Sequence, residues 1–525
     1  MLKRTPILIS GGMRLTLQML AAGLLPGDIL AVSSDLSMEI SVSGVSSDAR
    51  RIGKDELFIA VRGTRFDGHT AIADAARRGA CAVILEDAAY TADCPLPWIL
   101  VRDTRAVLLP LMLALRGHPE RGMRMIAVTG TNGKTSVTYL LEAVFAVCGK
   151  TAVFGTVENR IAGTHFPASH TTPDPDELVR LLETSAKAGV RTVILEASSH
   201  ALAQKRLSGL TFSCGIFLNL TEDHLDYHKT TEDYYLSKRS LFFSCEKGLC
   251  NTDDPFGRRL FSDPAFAGKL FSFSPAGDPD ADFSVREDPA DPAAADKERR
   301  FLLTSPDGGT FPLLSPLPGS FVPCNTLASA ACAFLLGVSE DRIRDGIRAV
   351  SAIPGRMERI VKTPFSVILD YAHTPDALEK ALLSARTLCK DGGKLRVLFG
   401  CGGDREREKR PKMGAIAARL ADAAVITSDN SRTEPPLFIL AQIVSGIPDA
   451  EKIRCTVIPD RRAAIAYLLS SARPGDCLLL AGKGHETYEI DSLGRRPFSE
   501  RDIVAVCMNT RTPSVPGFRS TDASL

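Results

Sequence analysis

The sequence predicts an α/β protein of three domains: a small N-terminal α/β unit, a central phosphate-loop-type parallel sheet, and a Rossmann-like C-terminal unit. Three observations carry this. The chain has 525 residues, too many for one hydrophobic core. Short apolar runs of strand length alternate with stretches of helical spacing along most of it. One run, MRMIAVTG, is followed by TNGKT and then by SVTYLLEAVFAVCG, a strand–loop–helix signal closed by Gly149.

The first domain is assigned to residues 1–120. Residues 40–45 alternate like a strand, 56–61 (ELFIAV) and 82–86 (AVILE) read as buried strands, and 70–79 have helical spacing. Residues 1–25 start basic and turn apolar, but Gly11, Gly12 and Arg14 interrupt the run well short of a membrane span. No signal peptide or transmembrane helix is expected, which places the protein in the cytoplasm. A break falls at Arg116-Gly117-His118-Pro119.

The second domain, 121–353, adds buried strands at 192–195 and 214–218. Strands alternating with helices imply a parallel sheet covered on both faces. Residues 274–300, rich in Asp, Pro and Ala, read as a surface excursion. The third domain, 354–511, has strand candidates at 366–369, 396–399, 424–427 and 477–480. The tail, 512–525, is polar and reads as disordered.

Composition excludes several classes. Lys plus Arg is 63 against 62 Asp plus Glu, so the net charge of +1 gives no reason for a nucleic-acid or membrane partner. The 13 cysteines form no C-x-x-C pair and read as reduced thiols used for packing, including Cys324 and Cys401 near the candidate sites.

The chemistry starts at Gly130-Thr131-Asn132-Gly133-Lys134-Thr135-Ser136. Glycines let backbone N–H groups crowd around phosphate oxygens, and the helix start adds positive potential. Lys134 would contact the β/γ-phosphates of ATP and the Thr135 hydroxyl would hold Mg²⁺. The full pattern has Gly six residues before the Lys; Val128 stands there, so this is a shorter variant. Glu196 ends a buried apolar strand, where a free carboxylate is costly unless it meets a cation. His224 follows another strand. If both strands end at the rim holding the loop, Glu196, His224 and Thr135 can converge on one Mg²⁺. Taken alone, His224 equally fits a satisfied core histidine, and Lys238 in YYLSKRSLFF a surface lysine.

GTNGKTS with these flanks resembles the Mur ligase family, which builds the peptidoglycan stem peptide. The resemblance runs on through HTTPD (170–174), LEASSHALAQKR (195–206), NLTEDHLDYH (219–228), PGRMER (354–359), DYAHTPDALEKAL (370–382), GCGGDRE (400–406), DNSRTEPP (429–436) and AGKGHETY (481–488). These motifs are similar to those of the members that add the third residue, a diamino acid, to UDP-N-acetylmuramoyl-L-alanyl-D-glutamate.

The resemblance implies a division of labour. The first domain would bind the UDP-sugar, through Ser47 above all, within Ser47-Asp48-x-Arg50 and near Asp67-Gly68-His69; plain turn residues are the alternative there. Thr171, Thr172, Ser198, Gln204 and Arg206 match positions that hold the muramoyl dipeptide. His170 stands where the family often has Asn. Asn325 resembles the residue near the adenine, with helix packing as its alternative. The imidazole of His224 is an uncommon Mg²⁺ ligand, assigned by the resemblance. The lysine matching Lys238 is carbamylated in the family, and the carbamate can ligate a second Mg²⁺; a lysine shielded from water loses its proton more easily.

In the third domain, Asp429-Asn430-Ser431-Arg432 resembles the DNPR motif of members that add meso-diaminopimelate, with Ser431 in place of Pro; a solvated Asx turn is the alternative. The guanidinium of Arg432 is a planar fork matched to the distal carboxylate that lysine lacks. Arg405, Gly482 and Glu486 match the rest of that pocket, with Glu486 set to receive the distal ammonium.

The implied reaction activates the D-Glu γ-carboxylate as an acyl phosphate, which the diaminopimelate amine then attacks. Separate sites on separate domains imply hinge closure around 350–355. The rivals are a lysine-adding relative, a folylpolyglutamate-type ligase, and a non-catalytic protein that uses ATP only to change shape.

Overall fold

The computed structural model describes residues 15–21, 27–37, 39–63, 66–287, 298–390 and 392–511. The basic start of the chain, the middle of the 274–300 stretch and the 512–525 tail lie outside them. Among the described residues no helix is long and apolar enough to cross a membrane.

Three sheets organise the chain. The first unit holds five strands in the spatial order Ile29–Val32, Trp98–Val101, Ala82–Leu85, Glu56–Ile59, Gly44–Ser46. All pair in parallel except Ile29–Val32. The predicted strand at 40–45 is split into Ser41–Val42 and Gly44–Ser46, which join different sheets. The 70–79 helix resolves into a 3₁₀ turn, Gly68–Ala71, and a helix, Ile72–Arg77.

Among the described residues the central sheet has eleven strands. Its middle is parallel, in the order Thr151–Phe154, Thr192–Glu196, Arg124–Thr129, Phe212–Phe217, Cys245–Asn251, Leu270–Ser274, Phe283–Glu287. Both edges are antiparallel, so the sheet is mixed and not parallel throughout. Successive residues of a strand face opposite sides, and here both sides are apolar. Ile126, Val128, Ile194 and Ile216 share a buried cluster with Leu140 and Leu141 of the Lys134–Ala146 helix and Leu327 of Val322–Leu335. Ala127, Val193, Leu195 and Phe217 share another with Leu178 and Leu182 of Pro175–Lys187. That second cluster runs on into the first unit through Leu109, Leu113 and Leu57.

The 274–300 stretch is not a mere excursion. Phe283–Glu287 pairs with Leu270–Ser274 and with Arg299–Thr304, and Phe283 and Val285 are buried. Asp, Pro and Ala on either side hide a strand whose alternate residues are apolar.

The third sheet runs Glu358–Val361, Ser366–Asp370, Cys477–Ala481, Leu395–Phe399, Ala423–Ile426, Cys455–Val457, parallel after its first pair. The residues after its strand ends, at 371–373, 400–405, 427–432 and 482–486, form one rim. Register puts Glu196 beside Val128, and Phe217 beside Thr129, so the ends of those central strands form another rim. The two rims meet.

Candidate active site

The phosphate loop follows the Arg124–Thr129 strand and enters the Lys134–Ala146 helix. Gly133 caps that helix with φ 91°, a left-handed conformation that favours glycine. A Cβ there would also stand 2.7 Å from Asn325 Oδ1, so the loop and the buried asparagine are fitted to each other. The loop is tied to the neighbouring strand end: Asn132 N–H donates to Asn219 Oδ1 (2.9 Å), and Thr221 N–H to Thr131 Oγ1 (3.0 Å). Lys134 Nζ donates to the carbonyls of Gly130 (2.9 Å) and Thr131 (3.0 Å). Burial lowers its pKa, opposed by Glu196 and Asp223.

A cavity of about 220 Å³ opens between the two rims. Thr131, Asn132, Gly133, Lys134, Thr135, Ser136, Glu196, His224 and Asn325 all line it, with Thr171 of the expected dipeptide set, so the structure gathers most of the sequence-predicted nucleotide and metal residues into one wall. Glu196 is buried, and Thr156 fixes it with its N–H (3.0 Å to Oε1) and hydroxyl (2.8 Å to Oε2). His224 sits at φ 58°, 3.4 Å from Asp223, edge-on to His200 with ring centroids 4.8 Å apart. Burial pushes its pKa down despite Asp223, leaving a neutral imidazole with a free lone pair. Lys238 lies behind the loop and not in the cavity wall. It is 1% exposed, donates to Gly130 O (2.9 Å) and rests 4.5 Å from the Tyr234 ring centroid. Burial, then the charge of Lys134, pulls its pKa well below the usual lysine value.

Among the described residues no three His, Cys, Asp or Glu side chains are placed to hold a metal ion by themselves. Beside the loop, Glu196, His224 and Thr135 offer the wall a carboxylate, a neutral imidazole and a hydroxyl. This set fits a Mg²⁺ that keeps water and phosphate oxygens in most of its shell, the usual arrangement where the ion serves a nucleotide.

The predicted dipeptide residues form a linked chain beside the cavity. Thr171 meets Thr156 (3.2 Å). The Thr172 hydroxyl donates to Glu196 O (2.6 Å) and lies 3.0 Å from Ser198 Oγ. Arg206 donates to Gln204 Oε1 (2.7 Å) and pairs with Asp174 (2.7 Å). His170 is half-exposed, 3.6 Å from Asp174. Ser47 stands apart, just after Gly44–Ser46 in the first unit.

The predicted amino-acid residues gather on the third unit's rim. Asn430 Nδ2 donates to Glu486 Oε2 (2.9 Å), and Lys483 Nζ to Asn430 Oδ1 (3.0 Å). Asp429 packs against Gly482, and Ser431 is buried. Arg432, at φ 51°, spends Nη1 on the carbonyls of Gly403 (2.8 Å) and Asn430 (3.2 Å). Burial and Arg405 lower its pKa. Burial raises that of Glu486. Tyr371 bridges the two sites: it lines the cavity, and its hydroxyl lies 3.5 Å from Glu486 Oε1.

Sequence reasoning gave no role to Thr156, Asp223, Arg356, Asp370, Tyr371, His373 or Lys483. PGRMER, DYAHTPD and AGKGHETY contain five of them. Their partners lie in other units or other loops, so spacing along the chain held no signal for the contacts.

A phosphate loop, a buried carboxylate and a second α/β unit closing over both define an ATP-dependent ligase. The chain belongs to the Mur ligase family. It matches the family's middle domain at residues 128–333, its glutamate ligase domain at 355–484, and the family's catalytic-domain description at 41–116. It is 39% identical over 494 residues to the UDP-N-acetylmuramoyl-L-alanyl-D-glutamate--2,6-diaminopimelate ligase of Geobacter metallireducens, covering 89% of this chain and 94% of that one. The same ligase of Synechococcus elongatus is 40% identical, covering 90% and 95%. A solved structure of a ligase of that name superposes with a TM-score of 0.67 at 31% identity, covering 95% of this chain and 99% of the other.

Proposed function

We infer that this protein joins meso-2,6-diaminopimelate to the D-Glu γ-carboxylate of UDP-N-acetylmuramoyl-L-alanyl-D-glutamate, consuming ATP, in cytoplasmic peptidoglycan precursor synthesis. We read residues 1–120 as the UDP-sugar unit, 121–353 as the nucleotide unit and 354–511 as the amino-acid unit. The observation that carries this reading is the adjacency of two sites. The phosphate-loop cavity and the Arg432 cluster share Tyr371, so a phosphoryl donor and an amine acceptor can reach one carboxyl group.

The γ-carboxylate oxygen attacks the γ-phosphorus of ATP and ADP leaves. The diaminopimelate amine then attacks the acyl carbon, and the tetrahedral intermediate expels phosphate with loss of the amine proton. Lys134 offsets charge on the phosphoryl oxygens. Thr135, Glu196, His224 and carbamylated Lys238 would hold Mg²⁺, which when bound neutralises further charge there. Arg405 and Arg432 seat the distal carboxylate, and Glu486 the distal ammonium. Closure of the units over the bound substrates would keep water from the acyl phosphate.

The test is phosphate release with the UDP-muramoyl dipeptide and a panel of amino acids. meso-Diaminopimelate should drive turnover and L-lysine should not. Turnover with lysine alone would overturn the specificity, and a Lys134→Ala variant that still formed the amide would overturn the mechanism.

A further inference from the structure

Arg461 is a buried cation that the reaction above does not use. It opens the Arg461–Ser471 helix and is 3% exposed. Its guanidinium bonds to three parts of the third unit. Nη1 donates to the carbonyl of Ser428 (3.0 Å), Nη2 to that of Ala481 (2.8 Å), and Nε to Glu500 Oε1 (2.8 Å), which opens the Glu500–Arg511 helix. Ser428 immediately precedes the 429–432 segment that carries Arg432. Ala481 immediately precedes the 482–486 segment that carries Glu486. The strands that deliver these segments are not neighbours. Leu395–Phe399 lies between Ala423–Ile426 and Cys477–Ala481, so no ladder joins the two segments directly. One planar fork reaches both. A Cβ on Gly482 would stand 2.7 Å from Asp429 Oδ2 and 3.9 Å from Arg461 Nη2, so the guanidinium lies close to the point where the two segments touch.

Stability does not account for this pair. The Arg461 and Glu500 side chains are each 1% exposed, and Glu500 Oε2 has no partner among the described residues. Withdrawing two charges from water costs about what their attraction returns, and an apolar pair of similar volume would serve a core as well. An apolar pair cannot hold two carbonyls at a fixed separation; a rigid fork with paired donors can. We propose that Arg461 is a positioning residue for the amino-acid substrate. Its fork fixes the distance between the two segments, and with it the distance from Arg432, the seat of the distal carboxylate, to Glu486, the seat of the distal ammonium. This assignment rests on the amino-acid site inferred above. In diaminopimelate the distal carboxylate and ammonium share one carbon, so their seats have little room to drift. A displacement of about 1 Å parts two contacts that one carbon must satisfy together.

The test measures KM for diaminopimelate, ATP and the UDP-muramoyl dipeptide in wild type, in Arg461→Lys, and in a double variant, Arg461→Met with Glu500→Leu. Lysine keeps the charge and loses the fork. The double variant removes both buried charges together, a change that cores commonly tolerate. In both, KM for diaminopimelate should rise about 10- to 100-fold while the other two KM values stay within about threefold. A KM does not depend on how much of the protein is folded, so a structural loss alone leaves this split unmoved. Variants with an unchanged KM for diaminopimelate overturn the proposal, as do equal rises in all three. If neither variant folds, the pair is a folding element and the proposal fails. Absence of diaminopimelate-dependent turnover in wild type would instead strike the inferred reaction itself.

Discussion

Arg356 Nη2 donates to the Thr135 hydroxyl at 3.0 Å, so an arginine of the third unit holds the first turn of the phosphate-loop helix. Its guanidinium also lies 4.7 Å from the Tyr371 ring centroid, while its buried Nε has no partner among the described residues. A cation beside the loop with a spare donor suits a phosphoryl oxygen that gains charge in the transition state. Arg356→Met should cut kcat/KM for ATP about 100-fold while moving Tm by no more than about 3 °C. Phosphate release at saturating dipeptide and diaminopimelate checks it; a loss under threefold would reduce Arg356 to a seam contact.

Among the described residues Arg432 Nε and Nη2 have no protein partner, and Arg405 lies nearby. Two neighbouring cations favour an anion between them. Arg432→Lys keeps the charge and loses the planar fork. KM for diaminopimelate should rise about 10- to 100-fold with KM for ATP nearly constant. Equal rises in both would mean that Arg432 supports the loop and does not seat the carboxylate.

Glu434 ties that pocket together. It accepts from Arg410 (2.8 Å and 3.0 Å) and from Asp404 N–H (2.7 Å), joining the loop that carries Arg405 to the loop that carries Arg432. The Arg410 hydrogen bonds hold its pKa down at about 2 against the ordinary 4.5. A depressed carboxylate adds stability that is fully present above about 4.5 and disappears as pH falls toward about 2. Glu434→Gln should cost about 3–5 kcal/mol at neutral pH, because it strands the fully buried Arg410, and it should flatten the acid limb between those values. Urea unfolding at several pH values measures both; an unchanged acid limb would assign it to other groups.

Much of this was legible in the sequence. Buried strands such as 192–195 and 477–480 are continuous apolar runs because both faces of the sheet are covered, and Gly133 and Lys134 announce themselves by spacing. One antiparallel edge was not legible. Asn159–Ile161 and Thr164–Phe166 are three residues each, too short for a period to show. The third unit's part in the cavity was hidden for another reason. Arg356, Tyr371 and His373 are ordinary loop residues until the two rims meet, and no local pattern encodes that meeting.

Lys238 gives a prediction about carbon dioxide. Its amine is buried and its pKa depressed, so the fold favours the neutral form that reacts with CO₂, and falling pH opposes it by restoring the ammonium. Removing bicarbonate should lower turnover several-fold, more at pH 6.5 than at pH 8.5, and adding it back should restore the rate. Turnover indifferent to bicarbonate at both pH values would leave Lys238 as an unmodified packing amine on Gly130.

Gly155 tests the placement of Glu196 without touching its charge. A Cβ on Gly155 would come 2.5 Å from Glu196 Oε1, closer than any real contact allows, and Thr156, the next residue, holds both oxygens of that carboxylate through its N–H and hydroxyl. The carboxylate must shift to admit the methyl group. Ordinary backbone angles at Gly155 accept alanine, so the clash itself is the only perturbation. Gly155→Ala should therefore lower kcat about 10- to 100-fold, the usual result of moving a reacting-site group by about 1 Å. KM for diaminopimelate should hold, since the Arg432 cluster lies on the other unit. Steady-state kinetics with varied Mg²⁺ read the shift directly: a displaced Glu196 raises the Mg²⁺ concentration for half-maximal rate. A variant with wild-type kcat and Mg²⁺ dependence would mean that Glu196 can move freely and that its position is not what the reaction requires.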